Sequence, residues 1–262
     1  MRRTRHADGT VHFSDLKHFA RSPAHYLEAV NGTFESSPAM RVGTAAHAEL
    51  LGAQEGKRIL TFSGRRSGDA WREAKEANPD AEFVSIAELD QGRRIADAVR
   101  ADPVAKDLLE GGILTEVPMR WTDAGIARST RGVDIVGPGL LAEFKTTTNT
   151  HPEHLQRHAV RSLWHAQLAD YRRGAEQVLE LVAPRVVVIA CEVRPPYAVT
   201  VLEVAEEVLA LGERAINAWS EDFRRCEENN DWPTYQKAPV KWTLPDWLNS
   251  DLELDDEEHF AA

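Results

Sequence analysis

The chain has 262 residues, 42% of them hydrophobic and 28% charged, which is the profile of a soluble globular protein with one sizeable core. Two cysteines, Cys191 and Cys226, are too few for a disulfide framework or an iron–sulfur cluster; no apolar run is bilayer-length, and the basic opening MRRTRHADGT lacks the apolar stretch of a secretory signal. The net charge of −11 argues against a passive coat on a polyanion, although seven of the acids lie in residues 246–262, which hold no Lys or Arg.

No internal repeat or low-complexity linker divides the chain, so one domain is expected over 1–245, followed by an acidic, disordered tail over 246–262. Ser14 reads as an N-cap, with Leu16, Phe19 and Ala20 at helical spacing towards Ala29. A second helix is predicted from Val42 to Leu51, stopped by Gly52. Ser63–Gly68 reads as a mobile basic loop, and a helix follows through Trp71 to Ala77. Ser85 with Glu88 three residues on forms a capping box for a helix reaching Ala101, and Pro103 suits the first turn of another.

The pattern changes at Ile113. Ile113–Trp121, Ala127–Val136 and Leu140–Thr146 read as three strands joined by short turns. Helices are predicted over His151–Ser162 and Leu163–Val182. Arg185–Val193 is a β-branched run suited to a buried strand, Ala198–Val204 a partner strand, and a last helix runs from Ala205 to about Asn229. This order gives a mixed α/β domain: a central mixed sheet flanked by helices. Trp232, Trp242 and Trp247 in the tail region are expected to cap the core, and both cysteines to be reduced thiols.

The chemistry concentrates in Asp134–Thr146. Asp134 ends one strand, Gly137-Pro138-Gly139 reverses the chain, and the next strand carries Glu143-Phe144-Lys145. Side chains at i and i+2 of a strand share a face, so Glu143 and Lys145 point together while Phe144 enters the core. Two carboxylates brought together at a hairpin repel unless a cation lies between them. Hard oxygen ligands select Mg²⁺ (or Mn²⁺). The expected metal site is Asp134, Glu143 and the Phe144 carbonyl, with Lys145 orienting or deprotonating a water and offsetting phosphorane charge.

These residues resemble the PD-(D/E)xK nuclease superfamily, and their neighbours look like its RecB/lambda-exonuclease branch, within it RecE-type exonucleases (exodeoxyribonuclease VIII). Ser14–Tyr26 is similar to the family's opening helix with its Ser-Pro-x-x-Tyr ending; Gly43–Leu51 to its Gly-Thr-x-x-His helix; His165–Tyr171 to its Gln-x-x-x-Tyr helix; Arg194–Val204 to its Pro-Pro-Tyr strand pair. Two departures stand out: Asp134 follows Gly132-Val133 where the motif has proline, and position 143 is Glu where RecE-like members often have Asp. The resemblance implies a restriction-endonuclease-like fold, His47 as a further metal ligand, and Gln167 and Tyr171 bordering the catalytic site. It also implies digestion of linear double-stranded DNA from its ends, 5′→3′, for phage-type recombination. A ring-like homo-oligomer, a single-strand annealing partner and a bacterial cytoplasmic setting with no membrane role come with it.

A lone histidine on an apolar helix is ordinarily a packing or surface residue, so His47 rests on the resemblance. Glu116 reads equally well as an exposed strand acid and as a site residue. Arg41, Arg65 and Arg66 are candidate phosphate contacts. His151, His154 and His158 lack zinc-site spacing and read as surface residues. Competing readings are a CRISPR-adaptation exonuclease, a structure-specific endonuclease, and a catalytically inactive DNA-end-binding protein.

Overall fold

The structure is a computed structural model and describes residues 2–33, 35–52, 58–235 and 238–243; the acidic segment 246–262 and Trp247 lie outside them. The chain enters through a short strand β1 (Val11–His12), helix α1 (Phe13–Leu16), a 3-10 turn (Lys17–Ala20) and α2 (Pro23–Asn31). Helix α3 (Pro38–Leu51), β2 (Arg58–Thr61), α4 (Asp69–Ala77), β3 (Ala81–Val84), α5 (Ile86–Ala101) and α6 (Pro103–Gly111) follow. The meander is β4 (Leu114–Asp123), β5 (Ile126–Gly137) and β6 (Leu140–Thr147). Then come α7 (Pro152–Arg161), α8 (Trp164–Val178), β7 (Arg185–Glu192), β8 (Val199–Glu203) and α9 (Glu206–Asn229).

Six strands form one mixed sheet in the order β1-β5-β6-β7-β8, with β4 on the other edge of β5. The β6–β7 pair is parallel and the β4–β5, β5–β6 and β7–β8 pairs are antiparallel. Both faces of the β-branched strand β7 are buried because helices cover both. On one side Phe13, Leu16, Leu141, Leu168, Val188 and Phe223 pack together. On the other, Val42, Ile95, Val99, Ile135, Phe144 and Ile189 join α3, α5 and α6 to the sheet. The expected architecture, a central mixed sheet flanked by helices, is the one observed.

Several local expectations need correction. The first helix does not run from Ser14 to Ala29. Pro23 requires an extended residue before it, Ser22 is extended at φ −172°, and its side chain caps α2. Helix α3 starts four residues before Val42, capped by Ser37 with Pro38 in its first turn. Helix α8 ends at Val178, short of Val182, and Glu180 and Ala183 beyond it adopt positive φ. The parallel pair β2–β3 was not anticipated, since four-residue strands carry little periodicity. Trp242 is 91% exposed and does not cap the core, whereas Trp232 packs on Phe19, Tyr26 and Phe223. Tyr26, the last residue of Ser-Pro-x-x-Tyr, belongs to that same aromatic cluster and donates to the Thr4 carbonyl, a structural role. Cys191 and Cys226 are buried and unpaired. Among the described residues no helix is long and apolar enough to cross a membrane.

Candidate active site

The site arises where a strand pair comes apart. β5 and β6 pair at Ile135↔Ala142, Val136↔Leu141 and Gly137↔Leu140. Beyond Ile135 the side chains take over the ladder's hydrogen bonds. The Phe144 amide donates to Asp134 Oδ2 at 2.6 Å, and the Asp134 amide donates to Glu143 Oε1 at 3.3 Å. Further back, β5 pairs with β1 at Arg128 and Ser129 instead. The opening between these two partners holds the carboxylates. Lys145 Nζ lies 2.6 Å from Glu143 Oε2, so the i, i+2 pair shares a face as strand geometry requires, and Phe144 is fully buried on the other.

Helix α3 brings His47 to this opening. Gly43 permits the approach: a Cβ there would stand 3.1 Å from Thr146 Oγ1 on β6. One turn later His47 Nδ1 lies 3.6 Å from Asp134 Oδ1 and 3.8 Å from Glu116 Oε1, with its ring 4.9 Å from that of Phe144. Glu116 arrives from β4 through a bulge, where the register shifts between Val117 and Met119 and Glu116 itself takes φ 50°. A non-glycine residue in that region is held there by its surroundings, and such strain concentrates at functional sites. Glu116, undecided from sequence, is therefore part of the cluster; Pro118, which cannot serve a regular ladder, was the available sign of a bulge. Ligand atoms of His47, Glu116 and Asp134 all lie within 4.8 Å of one another.

The electrostatics follow from burial. Desolvation, reinforced by the Glu143 charge, pushes the Asp134 carboxyl up to about 7. Burial opposes the Lys145 ammonium, but Glu143 and Asp134 outweigh it and hold its pKa above the usual lysine range. In the metal-free site the lysine is a cation and donates a hydrogen bond to Glu143. Burial likewise opposes His47⁺, and Asp134 with Glu116 reverses the balance and raises its pKa. A crowded acidic pocket of this kind fits a divalent cation, whose charge would relieve the Asp134–Glu143 repulsion.

From the opposite layer, α8 presents Gln167 and Tyr171. Gln167 Nε2 donates to the Tyr171 hydroxyl at 3.2 Å. Burial, then the Glu143 charge, pushes the Tyr171 phenol up to about 12, against hydrogen bonds with Thr130 and Gln167. The two layers thus meet at one sheet opening, with Lys145 between them.

The arginines sit differently from expectation. Arg41 and Arg66 both pair with Glu88, at 2.8 and 3.3 Å, and Arg66 also donates to the Phe83 carbonyl and lies over Trp71. The loop read as mobile is anchored through Arg66, and both guanidiniums are committed inside the fold; Arg65 is exposed. Glu88 in addition completes the capping box with Ser85. Glu88→Ala is expected to cost about 1–3 kcal/mol, read by chemical denaturation, through loss of the cap and of two charged partners. Of the other basic residues, Lys17 is close enough to Lys145 to feel its charge, and Arg120 and Arg131 line a cavity that Thr130 shares. His151 and His154 are exposed, and His158 packs edge-on against Trp164.

A hairpin splayed by its own carboxylates, set in a mixed sheet with helices on both faces, places the protein in the PD-(D/E)xK class of nuclease folds. Residues 12–239 match the model of the family described as PDDEXK-like domain of unknown function (DUF3799), and the chain belongs to that family. A crystal structure from Eubacterium rectale, named "Putative exonuclease", is similar at 14% identity and a TM-score of 0.62, covering 93% of this chain and 92% of that one. At that identity the likeness speaks for the fold. No curated protein matches the chain.

Proposed function

We propose that this protein is a divalent-metal-dependent deoxyribonuclease that digests linear double-stranded DNA from its ends. The observation that carries the reading is the convergence of His47, Glu116 and Asp134 within 4.8 Å beside the Glu143–Lys145 pair. Asp134, Glu143, His47, Glu116 and the Phe144 carbonyl are the groups that would hold the ion, with Mg²⁺ (or Mn²⁺) the choice favoured by oxygen ligands. When bound, the ion supplies Lewis-acid polarisation of a phosphodiester and acidifies water. Lys145 donates to the non-bridging oxygens and offsets the charge that develops on phosphorus. Glu143 holds that ammonium in place at 2.6 Å. Gln167 and Tyr171 close the site on the α8 side and fix the direction from which a nucleophile reaches phosphorus. The 5′→3′ direction, a role in phage-type recombination, a ring-like oligomer and an annealing-protein partner are supported by the RecE-like segments of the sequence alone.

The experiment compares wild type with Lys145→Ala on matched linear and covalently closed circular duplex DNA, with Mg²⁺ or EDTA. The expected result is Mg²⁺-dependent loss of the linear substrate, slowed about 100- to 1000-fold by Lys145→Ala, with 5′-labelled ends released first. Cutting of the circle would make the enzyme an endonuclease. No degradation by folded protein with any divalent ion would leave a DNA-end-binding protein.

A further inference from the structure

The N-terminal segment carries a second cluster of ligating side chains that the proposed nuclease reaction does not use. His6, His12 and Asp15 each offer one ligand atom, and these atoms lie within 4.8 Å of one another. His6 Nε2 stands 2.7 Å from Asp15 Oδ2, and the rings of His6 and His12 stack with centroids 3.8 Å apart and planes inclined by 14°.

The backbone builds this grouping. The Asp8 carboxylate accepts from both the amide and the hydroxyl of Thr10, and Gly9 at φ 80° turns the chain, so that His6 and Thr10 are joined by a backbone hydrogen bond. Thr10 is fully buried and shares a hydrogen bond with Ser129. His12 pairs with Ser129 in the β1–β5 ladder, and Asp15 follows on α1. Three short elements thus deliver two imidazoles and a carboxylate to one place.

An ion pair explains the contact between His6 and Asp15. That pair accounts for one ring; His12, half-buried, brings a second imidazole nitrogen to the same place. Burial, then the neighbouring His6, holds His12 below the usual histidine pKa. A neutral ring is the form that ligates metal. His6 and His12 also line a cavity of about 550 Å³ shared with Arg120, Ser129, Thr130 and Arg131.

We propose that His6, His12 and Asp15 form a Zn²⁺ site, with a fourth position beside the cavity for water or an anion. Two imidazoles and one carboxylate are a borderline donor set that selects zinc over magnesium, and three protein ligands with one open position is a recurrent zinc geometry. Tetrahedral zinc ligands sit about 3.3 Å apart, so binding an ion opens the 2.7 Å His6–Asp15 contact and turns one imidazole out of the stack, so that both ring nitrogens converge. The site fastens β1 and α1 to β5, and its existence does not depend on the nuclease reading.

The test removes the other candidate site first. Asp134→Asn protein is titrated with Zn²⁺ against a chromophoric chelator in 10 mM Mg²⁺, alone and with His6→Asn or His12→Gln added. The expected result is one Zn²⁺ per chain, with affinity lowered at least about tenfold by either histidine substitution. Bound Co²⁺ should give visible absorption bands that change with each substitution. Saturating Zn²⁺ should raise Tm by about 5 °C or more in the Asp134→Asn protein and not in its His6→Asn derivative. Should His12→Gln fail to fold, the part-exposed His6 and the Asp15→Asn variant give the same reading. Absence of Zn²⁺ binding by Asp134→Asn protein, or binding unchanged by His6→Asn and Asp15→Asn, overturns the proposal.

Discussion

Asp134→Asn is expected to abolish metal-dependent DNA cleavage while making the metal-free protein more stable. The carboxyl is 5% exposed, and burial with the Glu143 charge raises its pKa to about 7. A carboxyl whose folded pKa lies above its unfolded value near 4 stabilises fully below pH 4, and that contribution is lost as pH rises towards 7. Above pH 7 the ionised Asp134 therefore costs the metal-free fold roughly 2–4 kcal/mol. Asparagine is nearly isosteric and keeps an oxygen for the Phe144 amide, so it removes the charge without opening a cavity. Metal-free wild type and variant should differ least in Tm at pH 4 and diverge steadily up to pH 7–8, the variant melting higher. Mg²⁺ should raise the wild-type Tm progressively more over the same range, since protons compete for the ligand, and leave the variant unmoved. Equal Tm values at pH 8 would mean that Asp134 is not destabilised by its neighbours. Retained cleavage would remove it from the metal site.

The largest loss of stability outside the site is expected from Asp170→Ala. Arg128 on β5 and Asp170 on α8 are both fully buried and joined by one hydrogen bond of 2.6 Å, with the Arg128 guanidinium 6.0 Å from the centre of the Trp121 ring. Burial pushes the Asp170 carboxyl up to about 6 even though Arg128 opposes it, a sign that desolvation outweighs the pairing. Removing one partner leaves an uncompensated buried charge, so Asp170→Ala should cost about 3–5 kcal/mol by chemical denaturation. Replacing both, Arg128→Met with Asp170→Leu, should recover most of that loss, because packing substitutes for a pair whose other polar atoms lack protein partners. A single variant as stable as wild type, or a double variant no better than the single one, would contradict this account. Since β5 and α8 carry Asp134 and Tyr171, the pair also clamps the two layers that meet at the active site.

Much of the local structure was legible because its causes are local. The two-residue period of Leu140–Thr146 put Glu143 and Lys145 on one face before any fold was known. The Ser85–Glu88 capping box and the Gly52 stop marked helix ends through hydrogen bonds within one turn. Gly43 carried a signal too: a small residue one turn before His47 belongs where α3 meets β6.

What the chain order could not disclose were pairings across long sequence separations, which depend on how layers pack. Glu88 lies 47 residues from Arg41 and 22 from Arg66, and only the tertiary contact shows that both candidate phosphate-binding arginines pair inside the fold. Arg128 and Asp170, 42 residues apart, carry no mark of their pairing in the sequence; β5 and α8 bury them together. Glu116 joins the site at an irregular stretch of β4 that residue spacing does not reveal, and His6, His12 and Asp15 needed the β1–β5 ladder to bring them into line. Residue type and spacing determined the chemistry of the Asp134–Lys145 hairpin, because one- and two-residue periods are properties of the backbone. Which further groups surround it was decided by packing, because desolvation and Coulomb energy act through space and not along the chain.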